Sequence, residues 1–333
     1  MMKLRLFVGL VVILHSGFPG IASAKRPIII AHRGASGYLP EHTLEAATLA
    51  HAQGADFIEQ DVVLSKDRIP VVLHDIQIDT VTDVAKRFPE RRRADGRYYA
   101  IDFTLAELKS LNVTERINPR SGQPVFSGRF PAGKSAFQIP TLEEELELIA
   151  GLNKSTGRKV GIYPEIKSAA WHRKEGAEIS PIVLEVLARH GYKDHNDRCY
   201  LQSFEFNEVQ RIRGEFGYKG RLIQLVAGRG GSGGIDFTSA GGLDQLVGLV
   251  DGIGPSLPLV VEDDGNKGFV ATPLVRLAHE RNLEVHPYTI RADALPEGVT
   301  NAAEMFRLCF DVAGVDGVFT DHPDQGVAFL KEQ

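Results

Sequence analysis

Cysteine is nearly absent, with only Cys199 and Cys309 in 333 residues. Their spacing matches no cysteine-built metal site, which excludes that class of centre. Cys199 opens an apolar stretch with Tyr200 and Leu201, and Cys309 falls in a helical pattern with Phe306 and Phe310. Both read as small buried hydrophobes, with a disulfide as the lesser alternative. Basic residues are also in short supply, 38 Lys and Arg against 43 Asp and Glu. A net charge of −5 argues against nucleic acid or an anionic membrane as partner. The apolar run Leu6–Leu14 is too short to span a bilayer. Lys3 and Arg5 precede it and Ala22-Ser23-Ala24 follows, the pattern of a secretion signal cleaved after Ala24. No cysteine stands at that junction to carry a lipid, so no stable membrane anchor is expected, and removal of residues 1–24 takes the net charge from −5 to −7.

What is present is chemistry at the ends of apolar runs. Pro27-Ile28-Ile29-Ile30 reads as a buried parallel strand, and His32, Arg33 and Gly34 follow it in a loop before a helical pattern opening at Thr43. Histidine moves protons near neutral pH and arginine grips a phosphate bidentately. Taken alone the pair reads first as a loop histidine beside a surface arginine. The next strand, Phe57–Val63, carries Glu59 and Asp61 at an i, i+2 spacing, which sends both carboxylates to one face. Apolar neighbours on both sides argue that this face is buried rather than solvated. Ser65-Lys66-Asp67-Arg68 reads as a tight turn leading into Ile69–Asp75, a hairpin that would set His74 opposite Glu59 or Asp61. A further run, Val160–Lys167, repeats the spacing with Glu165 and Lys167. Three carboxylates without thiolates select a hard divalent ion, calcium or magnesium rather than zinc. Such an ion stabilises phosphoryl charge, and two histidines supply an acid and a base.

His32-Arg33-Gly34-Ala35-Ser36-Gly37-Tyr38-Leu39-Pro40-Glu41-His42-Thr43, then Glu59-Gln60-Asp61, Val71-Val72-Leu73-His74-Asp75 and Tyr163-Pro164-Glu165-Ile166-Lys167 together resemble the glycerophosphodiester phosphodiesterase family. The segments Arg97–Thr104, His286–Thr289 and Phe319–Asp321 resemble its periplasmic bacterial branch. The likeness runs from about Pro27 to the C-terminus. It implies His32 and His74 as the catalytic pair, Glu59, Asp61 and Glu165 as ligands of one divalent ion, and Arg33 and Lys167 as phosphate contacts. Calcium is the first candidate and magnesium the alternative. It also implies hydrolysis of small glycerophosphodiesters to sn-glycerol 3-phosphate and an alcohol, in the periplasm. Many relatives have Asn where this chain has His42, a departure given no mechanistic weight. A membrane-acting phospholipase and a secreted binding protein without turnover are the rival readings, and dimerisation is left open.

Eight strands are expected: Ile28–Ile30, Phe57–Val63, Gly161–Ile166, Cys199–Phe204, Arg221–Val226, Gly252–Pro255, Glu284–Thr289 and Gly317–Phe319. Helical patterns fall at Leu105–Leu111, Ile182–His190, Phe206–Phe216, Pro273–Arg281 and Asn301–Phe310. Residues 25–333 thus suffice for one (β/α)8 TIM barrel, with a doubly wound open sheet as the alternative. The spread of site residues over several strand ends favours the closed barrel, and the resemblance implies it. Residues 76–140 break the rhythm and read as a subdomain inserted after the second strand. Their run Arg91-Arg92-Arg93 reads chiefly as a solvated face paired with nearby acids. Gly228–Gly242, with its cluster Gly230–Gly234, lacks the context of a nucleotide loop and reads as a flexible loop at the barrel mouth. Phe204, Tyr288 and Phe319 stand at strand ends, where they line the cleft or fill the core. Phe204 and Tyr288 are taken as substrate-side candidates.

Overall fold

A computed structural model describes residues 26–230, 234–265 and 268–333. The expected signal segment, 1–24, and the centre of the glycine cluster, 231–233, lie outside the described residues. In chain order the strands are β1 (Ile28–Ala31), β2 (Phe57–Leu64), β3 (Pro70–Val72), β4 (Gly161–Ile166), β5 (Tyr200–Ser203), β6 (Arg221–Val226), β7 (Gly252–Pro255), β8 (Val261–Asp263), β9 (Phe269–Ala271), β10 (Glu284–Val285) and β11 (Gly317–Thr320). Eight of them form one parallel sheet in the order β10-β7-β6-β5-β4-β2-β1-β11. The amide of Asp316 donates to Val285 O at 3.1 Å and that of Phe319 to Pro287 O at 2.9 Å. These bonds bring β11 back against β10, so the ring is nearly closed: a TIM barrel, not an open sheet.

Side-chain alternation explains how the barrel presents its site. Residues of one parity point inward and build a floor of Ile30, Phe57, Tyr163, Tyr200, Ile223 and Phe319. Residues of the other parity, such as Ile29, Ile58, Ile162, Leu201 and Val318, pack against the surrounding helices in the main core. Two positions beyond a floor residue the chain points inward again, one layer higher. Ile30 is thus followed by His32, Phe57 by Glu59 and then Asp61, Tyr163 by Glu165, Tyr200 by Gln202, and Phe319 by Asp321. The polar layer above the floor is the site.

Most expected elements appear with shifted ends. The expected strand Glu284–Thr289 stops at Val285, and Pro287, which has no amide hydrogen, follows shortly after. The expected strand Cys199–Phe204 is trimmed to Tyr200–Ser203. Asn301 caps a helix at Ala302–Arg307, which widens into a π-turn over Leu308–Ala313 instead of continuing regularly. Cys199 and Cys309 are both free and buried, as small hydrophobes would be. Among the described residues no helix is long and apolar enough to cross a membrane.

Residues between Leu73 and Ile139 gather their own apolar cluster, including Ile78, Phe103, Leu108 and Ile139, with Val63 of β2 and Val71 of β3. Two arginines of the 91–93 run are paired with acids: Arg91 with Glu107 at 2.9 Å, and Arg93 with Asp102 at 2.7 Å and Glu175 at 2.9 Å.

Candidate active site

β2 and β4 are parallel neighbours with Asp61 in register with Glu165, and Glu59 stands one inward step below Asp61. Each of the three offers a carboxylate oxygen within 4.8 Å of the others, and all three are buried. Specific donors hold them. The Arg33 amide donates to Glu59 Oε2 at 2.9 Å and Gln202 Nε2 to Glu59 Oε1 at 3.0 Å. His42 Nε2 donates to Asp61 Oδ2 at 2.7 Å, and Lys167 Nζ sits 2.8 Å from Glu165 Oε1. Arg33 reaches Glu59 because the loop turns through the left-handed region, φ +59° at Arg33 and +79° at Gly34. At Gly34 a Cβ would fall 2.8 Å from the Ala46 carbonyl carbon, so only glycine lets the loop lie on the helix Leu44–Gln53.

Three buried acids this close cannot all ionise without more positive charge. Burial and the neighbouring Asp61 push the Glu59 carboxyl well above its usual range. Burial likewise raises Glu165, to about 8, against the pull of Lys167. Burial also opposes ionisation of Asp61, but Lys167, His74 and His42 outweigh it and hold that carboxyl well below its ordinary value. Asp61 Oδ1 is buried and makes no hydrogen bond. An all-oxygen donor set, an orphaned carboxylate oxygen and two acids forced towards protonation fit a hard divalent cation.

Each histidine is tied at Nδ1 to a carboxylate. His32 Nδ1 lies 2.6 Å from Asp321 Oδ1, and His74 Nδ1 lies 2.7 Å from Asp75 Oδ1. Burial and the Arg33 charge lower His32 to about 3 despite Asp321, and lower His74 to about 4 despite Asp61. Burial works against both partner aspartates, yet the hydrogen bonds from the histidines and the surrounding arginine charges hold them well below the usual range. Neutral imidazoles facing ionised aspartates donate from Nδ1, which leaves each Nε2 as the basic nitrogen. His32 Nε2 stands 3.7 Å from Glu59 Oε2.

The expected hairpin forms, but not with the expected register. β3 pairs with β2 as Val62 with Val72, Val63 with Val71 and Leu64 with Pro70, and ends there. Continued, that register would set Gln60, not Glu59 or Asp61, opposite His74. His74 instead enters from the loop beyond β3, just after Leu73 donates to Asp61 O at 2.8 Å.

His32, Arg33, Glu59, Asp61, His74, Glu165, Phe204 and Tyr288 all line one cavity of about 530 Å³, and Phe319 closes its base. Phe204 and Tyr288 meet edge to face at 5.8 Å. Arg33 Nε is buried, makes no hydrogen bond among the described residues, and lies 3.7 Å from Asp61 Oδ2. The ammonium of Lys167, the other expected phosphate contact, lies against Glu165 and 3.5 Å from Asp61 Oδ1. The far wall of the cavity is apolar, with Leu257, Val261, Phe269, Leu295 and Met305. Much of it comes from the unforeseen β8–β9 hairpin and the segment after Ile290.

Four polar residues of the site had no role assigned from sequence: His42, Asp75, Gln202 and Asp321. Asp75 and Asp321 each adjoin or end a motif already singled out. Gln202 carried the inward parity of β5. For His42 the signal was its departure from the asparagine that the resemblance implies.

The model of the "Glycerophosphoryl diester phosphodiesterase family" matches residues 32–325. A glycerophosphodiester phosphodiesterase of Haemophilus influenzae is 47% identical over 326 residues, covering 91% of this chain and 90% of that protein. One of Treponema pallidum is 40% identical over 329 residues, covering 92% of each. Among solved structures, a glycerophosphoryl diester phosphodiesterase of Silicibacter pomeroyi superposes with a TM-score of 0.69 at 24% identity, over 93% of this chain and 94% of that one. An Oleispira antarctica phosphodiesterase, solved in complex with the product sn-glycerol-3-phosphate, gives 0.63 at 22% identity, over 92% and 97%.

Proposed function

The chain belongs to the glycerophosphoryl diester phosphodiesterase family, and from that premise we propose that it hydrolyses glycerophosphodiesters to sn-glycerol 3-phosphate and an alcohol by paired histidine catalysis at a divalent-metal site. The observation that carries this reading is the convergence of two aspartate-tethered histidines and three acids on one cavity. Glu59, Asp61 and Glu165 would hold the ion, calcium in our assignment with magnesium as the alternative. When bound, that ion supplies Lewis-acid neutralisation of phosphoryl charge.

The remaining steps belong to this chain's own groups. Arg33 Nε meets a phosphate oxygen, and Lys167, 2.8 Å from Glu165 Oε1, adds a second cation beside it. His32 Nε2 takes the proton from the attacking hydroxyl; where this is the neighbouring glycerol hydroxyl, loss of the alcohol leaves a cyclic phosphate, which water then opens to sn-glycerol 3-phosphate with the two histidine roles reversed. His74 Nε2, protonated beside the bound phosphodiester anion, returns a proton to the departing alkoxide. Such acid–base assistance contributes about 10²- to 10⁴-fold, so the charges around the phosphate must supply much of the remainder. Phe204 and Tyr288 flank the path of the departing group.

The test is release of sn-glycerol 3-phosphate from glycerophosphocholine, followed with a coupled glycerol-phosphate dehydrogenase, with and without chelator. No release from the calcium-loaded protein would overturn the activity, and full release after chelation would overturn the metal assignment. Export to the periplasm is proposed on the signal pattern of residues 1–24 alone. An N-terminal sequence of the secreted protein starting at Lys25 supports it, and one starting at Met1 overturns it.

A further inference from the structure

Both tethering aspartates are held from their far side by an arginine of the segment 76–140. Arg129 Nη2 donates to Asp321 Oδ2 at 2.6 Å while Asp321 Oδ1 holds His32. Arg116 Nη1 donates to Asp75 Oδ2 at 2.6 Å while Asp75 Oδ1 holds His74. Two chains of contact, His32–Asp321–Arg129 and His74–Asp75–Arg116, therefore leave the barrel and end in one polypeptide segment.

Neither arginine is a loose surface charge. The Arg129 side chain is 5% exposed, anchored by Asp293 at 2.7 and 3.0 Å and by Ser36 O at 3.2 Å. Arg116 forks onto Glu41 at 2.9 and 2.5 Å, and Glu41 also accepts from Arg33 Nη1 at 2.9 Å. A second arginine, Arg291, comes within 3.1 Å of Asp321 Oδ2, but its Nε is not aligned for a hydrogen bond.

We propose that Arg116 and Arg129 are positioning residues, through which the segment 76–140 fixes the tautomer and orientation of both histidines. The physical ground is geometric. An aspartate with one oxygen on an imidazole can rotate about its own side-chain bonds and release the ring. Pinning the second oxygen with a charge-assisted bond removes that freedom and keeps Nδ1 as the donor on both rings. Nε2 of each ring then faces the reacting atoms. The proposal rests on the reading of His32 and His74 as the proton-transfer pair. A docking role alone is the competing account, in which the arginines merely fasten the segment to the barrel.

Two measurements on the calcium-loaded protein separate these accounts. The first is a double-mutant cycle on glycerophosphocholine turnover. R129Q should lower kcat by roughly 10-fold and leave KM within about 3-fold. In a D321N background the same change should cost little more, because both act through one carboxylate. D293N, which weakens the anchor of Arg129 without touching Asp321, should leave kcat within about 3-fold. Equal losses in R129Q and D293N, or full additivity of R129Q with D321N, would overturn the proposal in favour of docking.

The second measurement does not need turnover. Imidazole 15N spectra, assigned with H32N and H74N, should show Nδ1-protonated rings at both positions. R129Q should introduce the other tautomer at His32 only, and R116Q at His74 only. Unchanged tautomers in folded R129Q would overturn the proposal even if the hydrolytic activity stands. If R116Q does not fold, the R129Q arm decides alone. A wild-type protein that shows the tautomers but releases no product would instead overturn the activity.

Discussion

Replacing Glu165 by glutamine should stabilise the metal-free protein and, in the same molecule, remove its stabilisation by a divalent ion. In the folded chain burial pushes Glu165 from 4.5 to about 8. At pH 7 the unfolded chain therefore carries this group ionised, whereas the folded chain must take up a proton. An acid with a raised folded pKa contributes its full stability below pH 4.5 and loses it as the pH climbs through about 8. At about 1.4 kcal/mol per pH unit, folding at pH 7 bears a cost on the order of 3 kcal/mol, and relaxation around the site reduces it to about 1–3 kcal/mol. Glutamine mimics the protonated acid and keeps an oxygen for Lys167 Nζ, now 2.8 Å away, so the variant escapes that cost. In chelator at pH 7 its Tm should exceed that of the wild type by several degrees, at about 2–4 °C per kcal/mol, and the gap should close by pH 4.5. With calcium at 100 times Kd the wild type gains about 2.7 kcal/mol, and the variant should gain far less. Scanning calorimetry at pH 4.5, 7 and 8, with chelator and with calcium, reads wild type and variant in both metal states. A metal-free variant no more stable than wild type at pH 7–8, or an equal calcium shift in both, would refute the reasoning.

The other expectations concern turnover and the loop at the site. His32→Ala and His74→Ala should each lower kcat by about 10²- to 10⁴-fold with an unchanged near-ultraviolet dichroism spectrum. A nitrophenyl leaving group should restore rate to only one of them, and rescue of neither would end the division into one acid and one base. A substrate lacking the glycerol hydroxyl next to the phosphorylated carbon should turn over poorly at saturation, because that hydroxyl can attack phosphorus intramolecularly. Equal rates with no five-membered cyclic phosphate would show that water attacks directly. Gly34→Ala must bear a left-handed backbone, about 1–2 kcal/mol, as well as the contact with Ala46. It should lower Tm by several degrees and weaken calcium binding by shifting the Arg33 amide from Glu59. An unaltered Tm would mean the loop has room that the geometry denies it.

The candidate ligands and histidines were legible because a strand's period of two is a local rule. It needs no partner to say that Glu59 and Asp61 share a face, and the same count places Glu165 above Tyr163. The eight barrel strands were legible for a similar reason, as short apolar runs bounded by turns. The failures are non-local. Asp321 lies 289 residues from His32, and nothing in either neighbourhood announces the other. His42 reaches Asp61 only because its loop adopts φ +58°, which no propensity requires of histidine. The β8–β9 hairpin was missed because only Val261 of its first strand is buried, so its pattern is not that of a core element. The helix Leu142–Thr156 was legible in principle: Thr141 and Glu144 form a capping box, with the Thr-x-x-Glu spacing that marks a helix start. It stood just beyond the irregular stretch, where no strand preceded it to suggest a βα unit.

β2 has one further consequence. Its inward residues climb from the floor through the two acids, and the last of them, Val63, leaves the barrel to join the apolar cluster of the inserted segment, alongside Val71 of β3. A single strand is thus a structural member of two hydrophobic bodies. The segment cannot be excised like a cap set on a finished vessel. A shortened chain joining Asp75 to Thr141 would expose Val63, Val71 and Leu73 to water and leave β3 a bare edge, open to pairing with other chains. In engineering terms, the barrel and residues 76–140 have to be handled as one unit, and substitutions in that segment should be tolerated best at positions outside the shared core.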